Sequence, residues 1–319
     1  MKTDFFHEAL LKAIRSRLPE GDNMAQALMN ILFLGKEAVY RRLRGEVPFT
    51  LAEAGTISKT LGISLDGLIG TDMGKSRPFH MNLVDFANPT EVDYAMLQNY
   101  LDVLNMSSDD PYSEITVSTN YFPQPFYLMH ESLTRFMLFK WTYHHEKGTV
   151  KSYGEIKIPD RLKRIHMESV AGHKNLKSSC FIFDNLVTLY LVNDIKYFHS
   201  IQLVTDEELL LIKQDVIQLI DYLESLATTA KYENGNDVYL YVSNINFEST
   251  YTYLRVHNSR ISFIDIFLLN GAASVDEGIY EHVKTWVLSL RRLSTLISHS
   301  GELQRIKFFK EQRRILESL

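Results

Sequence analysis

A short helix with sharp boundaries, between Gly35 and Gly45, is the segment that most constrains how this chain folds. Val39 and Leu43 stand one helical turn apart, so they form a narrow apolar stripe that can anchor the helix. The other positions are mostly charged, and so many charged groups cannot be buried together. The segment therefore predicts a helix held from behind, with a cationic, hydrogen-bonding face toward solvent. That face carries Lys36, Glu37, Tyr40, Arg41 and Arg44.

Four more short helices are predicted around this segment, all within the first 70 residues. The first two span 4–18 and about 23–32, with apolar residues at helical spacing. The fourth begins directly after Thr50, a residue type that caps helices, and the fifth covers 65–69. Pro and Gly residues in the intervening turns separate the helices. The pattern predicts a small all-α unit of five helices.

This arrangement resembles the lambda-repressor-like, XRE-type helix-turn-helix family. The supporting helix matches at Ala27–Leu32, the recognition helix at Gly35–Arg44, and the exit loop at Gly45–Thr50. The last two helices of the family match Ile57–Ile69. The resemblance covers about the first 70 residues and implies a DNA-binding domain over 1–70, with double-stranded DNA as the partner. Phe33 stands where the family usually has glycine.

The resemblance also implies roles for individual residues. Four side chains would face base edges, where Arg or Lys suits guanine and Glu suits the cytosine amine: Lys36, Glu37, Tyr40 and Arg41. Five further residues would contact phosphates, through side chains or a helix N-terminus: Asn23, Gln26, Arg42, Arg44 and Thr50.

The charge distribution agrees with a local nucleic-acid contact and not with a generally basic protein. The chain has a net charge of −5. Residues 1–77 hold 11 Lys and Arg against 9 Asp and Glu, a net of +2, and the remainder holds 23 against 30, a net of −7. Non-specific DNA affinity should therefore be modest, so that specificity depends on well-placed contacts.

The remainder of the chain is predicted to be a linker over 71–78 and a regulatory or oligomerisation domain over 79–319. Its fold class is expected to be α+β, mostly helical with a small antiparallel meander. The meander consists of 238–245, 250–256 and 261–269. Further strands are considered over 115–119, where a helix is the alternative, over 155–159 and over 179–183. Helices are predicted over 91–106, 125–145, 160–170, 184–198, 206–229, 275–299 and 302–319.

No catalytic residue, metal site or cofactor is predicted. Gly70–Ser76 looks like a phosphate-binding loop, but its glycines have three residues between them where that motif needs four. The histidines, including His166 and His173, have no carboxylate or thiol at metal-ligand spacing, so they are interpreted as surface or helix-end residues. An enzyme is therefore not expected.

Aromatic residues are concentrated in two places, which we interpret as core packing with a ligand cavity between sheet and helices as the alternative. The first set is Tyr239, Tyr241, Tyr251, Tyr253, Phe263 and Phe267, and the second is Phe122, Phe126, Tyr127, Phe136, Phe139 and Trp141.

An apolar stripe on the last helix packs either on its own domain or on a second copy. It consists of Leu303, Ile306, Phe309, Ile315, Leu316 and Leu319. Helix-turn-helix proteins often bind as dimers, so a homodimer is expected.

The sequence thus predicts a cytoplasmic DNA-binding transcriptional regulator. The single cysteine, Cys180, lies in an apolar stretch, which indicates a reducing compartment. No signal peptide or apolar run of membrane-spanning length is seen, so no membrane partner is expected. Two alternatives stay open: a protein-interaction or scaffold module built on the same helices, and a sensor whose larger domain binds a small-molecule effector.

Overall fold

A computed structural model describes residues 5–19, 21–65, 68, 79–145 and 151–319. Its first part, residues 5–65, contains four short helices, which we call the N-terminal helical unit. They are α1 (Phe5–Arg17), α2 (Met24–Leu32), α3 (Lys36–Leu43) and α4 (Leu51–Leu61). Their apolar faces meet in one core, formed by Leu10, Ile14, Ala25, Leu28, Val39, Ala54, Ile57 and Ile63.

The predicted limits of these four helices are confirmed to within one or two residues. The predicted fifth helix over 65–69 and the linker over 71–78, including the glycine-containing Gly70–Ser76, lie largely or wholly outside the described residues.

The larger part, from 79 to 319, is an α+β unit built on one eight-stranded mixed sheet. Its strands are β1 (His80–Asn82), β2 (Glu114–Thr119), β3 (Ser178–Phe183), β4 (Asp237–Ser243), β5 (Tyr251–Val256), β6 (Ser259–Phe267), β7 (Asn270–Ser274) and β8 (Ser294–Leu296). Its helices are α5 (Glu91–Asn105), α6 (Gln124–Tyr127), α7 (Glu131–His145), α8 (Asp160–Asn175), α9 (Val187–Ser200), α10 (Asp206–Thr229), α11 (Glu277–Arg292) and α12 (Glu302–Glu317).

The sheet has the strand order β1-β7-β6-β5-β2-β3-β4-β8. The central strands β2, β3 and β4 are parallel, and the helical crossovers that parallel neighbours require are supplied by α6 to α8 and by α9 with α10. All other neighbours are antiparallel.

The two faces of the sheet are covered differently. One face carries Phe181, Leu240 and Leu254 and lies under a large core shared with the helices of the crossovers. The other face carries Cys180, Ile182 and Tyr253 and is covered by α11. Side chains alternate between faces along each strand, so a residue's face follows from its place in the register.

The predicted antiparallel meander is wrong in one respect. Strands β5, β6 and β7 do form a meander, but β4, which was assigned to it, pairs in parallel with β3 and is separated from β5 by β2 and β3. The alternation in 238–245 indicated a strand correctly, but alternation carries no information about which strand lies beside it.

Three other predicted elements need correction. The helix predicted over 125–145 is two helices, α6 and α7, separated at 128–130. The helix predicted over 275–299 ends at Arg292 and is followed by β8. The segment 155–159 forms no strand. Glu155 ends a 3-10 turn closed by a capping box with Ser152, and 156–159 is irregular up to the start of α8.

The two parts of the chain touch at the end of α1. The Arg17 guanidinium donates to the carbonyl oxygens of Asn258 at 2.9 Å and Val275 at 3.2 Å. Asn258 lies just before β6, and Val275 just after β7. Within the described ranges, no helix is both long enough and apolar enough to cross a membrane.

Candidate functional site

One side of helix α3 packs on the core of the N-terminal helical unit, and a glycine ends the helix at its C-terminus. Val39 is fully buried in the core of the N-terminal helical unit, and Leu43 packs against that core. At the C-terminus, Gly45 takes a left-handed conformation (φ 72°), its N–H binds the Arg42 carbonyl, and the Glu46 N–H binds the Arg41 carbonyl. This pair of hydrogen bonds is a Schellman ending, which glycine favours because it lacks a Cβ.

The solvent face of α3 holds the four predicted base-facing residues together. Lys36, Glu37 and Arg41 are exposed, whereas Tyr40 is half-buried and packs partly on the core. The Lys36 ammonium lies 5.9 Å from the centre of the Tyr40 ring, at cation–π distance. The face is therefore one continuous patch of hydrogen-bonding groups around a tyrosine ring.

Exposed ion pairs hold the arginines of this patch. Arg44 Nε donates to Glu46 Oε1 at 2.6 Å, and its Nη2 lies 3.4 Å from Glu37. Arg41 Nε lies 3.7 Å from Glu46. The hydrogen bond from Arg44 lowers the pKa of the Glu46 carboxyl. Because exposed pairs contribute little free energy, a phosphate can replace Glu46 as the partner of these guanidinium groups.

Arg42 occupies a different environment from the other basic residues of α3. Its Nε and Nη2 donate to the two carboxylate oxygens of Glu53 at 3.0 and 2.6 Å, and both side chains are mostly buried. Burial raises the pKa of the Glu53 carboxyl, but the bonds from Arg42 and from the Thr50 amide lower it more. The guanidinium predicted to bind phosphate therefore joins α3 to α4.

Thr50 also uses its polar groups within the fold. Its hydroxyl accepts from the Glu53 N–H, and its own N–H donates to Glu53 Oε2 at 2.8 Å. The amide that was expected to receive a phosphate is thus already bound by a carboxylate.

Asn23 and Gln26 lie at the exposed start of α2. Asn23 Oδ1 accepts from the amides of Ala25 and Gln26, so Asn23 is the cap of this helix. Gln26 Nε2 donates to Asn30 at 3.2 Å along the exposed helix surface.

Phe33, in the turn between α2 and α3, is unusual in both conformation and exposure. It adopts a left-handed backbone conformation (φ 52°, ψ 39°), and its side chain is 92% exposed. Glycine adopts this conformation most readily, so Phe33 occupies this turn at an energetic cost. An exposed aromatic ring next to the start of α3 is therefore part of this surface.

A second candidate site lies inside the α+β unit. A cavity between sheet and helices was the alternative for the aromatic residues, but Asp265 was not identified from the sequence. A cavity of about 220 Å³ lies between the sheet and helices α5, α6 and α8. A second one of about 290 Å³ adjoins it, and both are lined by Tyr121, Tyr127 and Asp265. A signal did exist in β6, because Ile261, Phe263 and Asp265 alternate toward one face and only Asp265 is charged.

The predicted environments of several other residues are corrected by this cavity. His173 is buried and His166 is half-buried, and both line the cavity, where burial lowers the pKa of each to about 4. Of the two aromatic sets, Tyr127 and Phe263 line the first cavity. Tyr239, Tyr241, Tyr251 and Tyr253 instead pack on the opposite face with α11.

No group of three or more His, Cys, Asp or Glu placed to hold a metal ion occurs among the residues described. Comparison of the chain with protein-family models, with curated proteins and with solved structures gives no match. The functional argument therefore depends on the geometry of these two sites.

Proposed function

We propose that this protein is a sequence-specific DNA-binding transcriptional regulator that reads the major groove with α3, in the manner of a lambda-repressor-like helix-turn-helix. The observation that supports this most directly is the solvent face of α3. It presents Lys36, Glu37 and Arg41 around Tyr40, while Val39 is fully buried behind them. An α-helix of this size is admitted by the major groove.

The side chains on this face match base edges in chemistry. Lys36 and Arg41 donate to the O6 and N7 acceptors of guanine, and Glu37 accepts from the N4 amine of cytosine. Tyr40 is half-buried against the core and lies among these residues, and its hydroxyl can donate or accept a hydrogen bond.

Fewer residues are proposed to contact phosphates than the sequence predicted. Arg44, Gln26 and Asn23 lie at exposed positions and keep donors that can reach a phosphate. Arg42 and Thr50 are left out, because Glu53 binds both of them.

Selection from a random double-stranded DNA library tests the proposal. The wild-type chain should enrich one sequence, and a Lys36→Ala, Arg41→Ala double variant should bind that sequence roughly 30-fold or more weakly, since each good base contact contributes about 1–3 kcal/mol. A Lys12→Ala, Arg15→Ala variant is the matched control, because it removes two exposed cations from α1. Its binding should change by only a few fold.

Two outcomes would contradict the proposal: selection enriches no sequence, or the control variant is as defective as the α3 variant. Far-ultraviolet circular dichroism and thermal unfolding of each variant establish that the fold is intact. Exposed cations on α3 do not contribute to the core, so no loss of helix content is expected.

The proposal includes a homodimer on two half-sites. In the structure Phe309, Ile315 and Leu316 of α12 are buried within their own chain, while Leu303 and Ile306 are 79% and 51% exposed. A dimer surface on α12 is thus limited to its first turns. Recovery of a palindromic sequence and a dimer mass by light scattering would support this part, and a monomer mass on DNA would oppose it.

A protein-interaction module is the second candidate, favoured by Phe33 and Leu51, which are 92% and 85% exposed on the N-terminal helical unit. Salt titration separates the two functions. Binding through phosphates weakens steeply with salt, whereas docking through apolar side chains does not.

A further inference from the structure

Asp265 is a half-buried carboxyl group on the wall of both cavities, and no free lysine or arginine among the described residues lies beside it. Tyr121 donates its hydroxyl to Asp265 Oδ2, and Oδ1 accepts no hydrogen bond from any described residue. The main chain of the same residue is fixed on both sides, because its N–H donates to the Thr250 carbonyl and its carbonyl accepts from Ser249 Oγ. The carboxyl is therefore held in place with one oxygen available to the cavities.

The described walls of the two cavities offer no partner charge for this carboxyl. The first cavity is lined by no lysine or arginine among these residues. The second is lined by Lys140, but its ammonium donates to Asp194 at 2.5 Å. A buried carboxylate without a counter-charge is costly, so the site favours a ligand that supplies one.

Aromatic rings line the rest of the space around Asp265. Tyr100, Tyr121 and Tyr127 lie close enough for the Asp265 charge to raise their pKa, in addition to the larger effect of burial. Phe263 lies edge-on to Tyr100, with 5.6 Å between ring centres. Aromatic faces attract cations most strongly where water is excluded, as in the cages that bind ammonium ligands.

The neighbouring histidines do not offer positive charge either. His173 donates from Nδ1 to the Ser169 carbonyl at 2.8 Å, and its Nε2 accepts from the Tyr100 hydroxyl at 3.0 Å. Since burial lowers the pKa of His166 and His173, both are neutral near pH 7 and an anionic ligand meets no cation. Burial raises the pKa of the Asp265 carboxyl to about 6, so this group changes charge near neutral pH.

We propose that this pair of cavities is a binding site for a small organic ammonium ion, whose nitrogen pairs with Asp265 Oδ1 and whose apolar part fills the space between the sheet and α5 and α8. A cavity of about 150 Å³ accommodates benzene. The volume of about 220 Å³ found here fits an arylalkylamine with a single ring.

Calorimetry and thermal unfolding of the full chain with 2-phenylethylamine test this site. The matched probes 2-phenylethanol and phenylacetate keep the ring and the chain length but are neutral and anionic. We expect the amine to bind and raise the melting temperature, and both matched probes to bind far more weakly. Binding should strengthen as pH rises from about 5 to about 7, because the carboxyl must be ionised.

Three variants locate the binding. Asp265→Asn should weaken amine binding roughly 100-fold, since it removes one partner of an enclosed charge pair. Asp109→Asn is the matched control, because it makes the same substitution at an exposed carboxyl that lines neither cavity, and it should bind normally. Leu97→Trp fills the first cavity while keeping Asp265, and it should also lose binding.

The proposal is overturned if the amine does not bind at millimolar concentration, or if 2-phenylethanol binds equally well. It is equally overturned if Asp265→Asn retains full affinity. Should one variant fail to fold, the other still decides whether binding occurs inside the cavity. The test does not use DNA, so its result is independent of the function proposed for α3.

Discussion

At the scale of single residues, Asp265 makes the stability of the fold depend on pH. Burial raises its pKa from the usual value to about 6 in the folded state. Below about pH 3 the carboxyl is protonated in both states, so it has no effect. As pH rises, the unfolded chain releases this proton first, and above about pH 6 the folded state is less stable by about 2 to 3 kcal/mol.

We therefore expect Asp265→Asn to raise the free energy of unfolding by about 2 kcal/mol at pH 8 and to leave it unchanged at pH 3. Urea unfolding at a series of pH values measures the difference. His166 and His173 have the opposite effect on the pH dependence, since acid destabilises a fold that contains buried neutral histidines. Both the wild type and the variant contain them, so their effect cancels in the difference. A difference that does not vary with pH would contradict the prediction.

Phe33 gives a second prediction at this scale. Its left-handed backbone costs about 1 to 2 kcal/mol, and its exposed ring gains no burial in return. Phe33→Gly should stabilise the N-terminal helical unit by about 0.5 to 1 kcal/mol, after the greater freedom of glycine in the unfolded chain is subtracted.

Phe33→Ala is the control, because alanine keeps the Cβ and hence the strain. If both variants stabilise the unit equally, the gain in stability comes from removing the ring and not from relieving the backbone strain. If the ring contacts a partner, both variants should lose the same fraction of binding while only Phe33→Gly gains stability.

At the scale of elements, Glu53 joins α3 to α4 and caps α4. It accepts from Arg42 in a mostly buried pair and from the Thr50 amide in a capping box. Glu53→Ala should cost about 2 kcal/mol, with about half from the lost cap and half from Arg42 left without a partner. Glu37→Ala, an exposed substitution on α3, should stay within about 0.5 kcal/mol in the same urea unfolding experiment.

The elements show what local sequence could predict. Helix α10 was predicted at its observed limits, Asp206–Thr229, because apolar spacing and an acidic first turn are local signals. Strand β4 was predicted as a strand but given the wrong neighbours, because pairing depends on crossovers more than fifty residues long. The exposed face of α3 was also predicted correctly, because the spacing of its apolar and charged residues is a local signal as well. The pairing of Arg42 with Glu53 was missed because it depends on how α3 and α4 pack.

At the scale of the whole molecule, two strands that line the cavity, β6 and β7, each have one end at the contact with α1. Strand β6 carries Asp265 and begins beside Asn258, and β7 contributes Gly271 to the cavity and ends beside Val275. Arg17 binds the carbonyls of both flanking residues. A ligand that shifts β6 and β7 therefore acts on the end of α1.

If both proposed sites exist, 2-phenylethylamine should change the affinity for the selected DNA by about fivefold or more. Arg17→Ala should remove this linkage while preserving DNA binding and amine binding measured separately. Arg15→Ala, an exposed residue of the same helix, is the control and should keep it. Fluorescence anisotropy of labelled DNA measures each case, and an undiminished linkage in Arg17→Ala would contradict this route.

The strand order also has a consequence for protein synthesis. Strand β2 pairs with β5, and Ser118 meets Tyr251, 133 residues later in the chain. The core of the N-terminal helical unit is complete within residues 5–65, so it can form on the ribosome long before β5 has been made. During that interval β2 can pair with β3 on one side only. A chain truncated before Tyr251 would therefore keep a folded N-terminal helical unit joined to a sheet whose β2 edge is open and prone to aggregation.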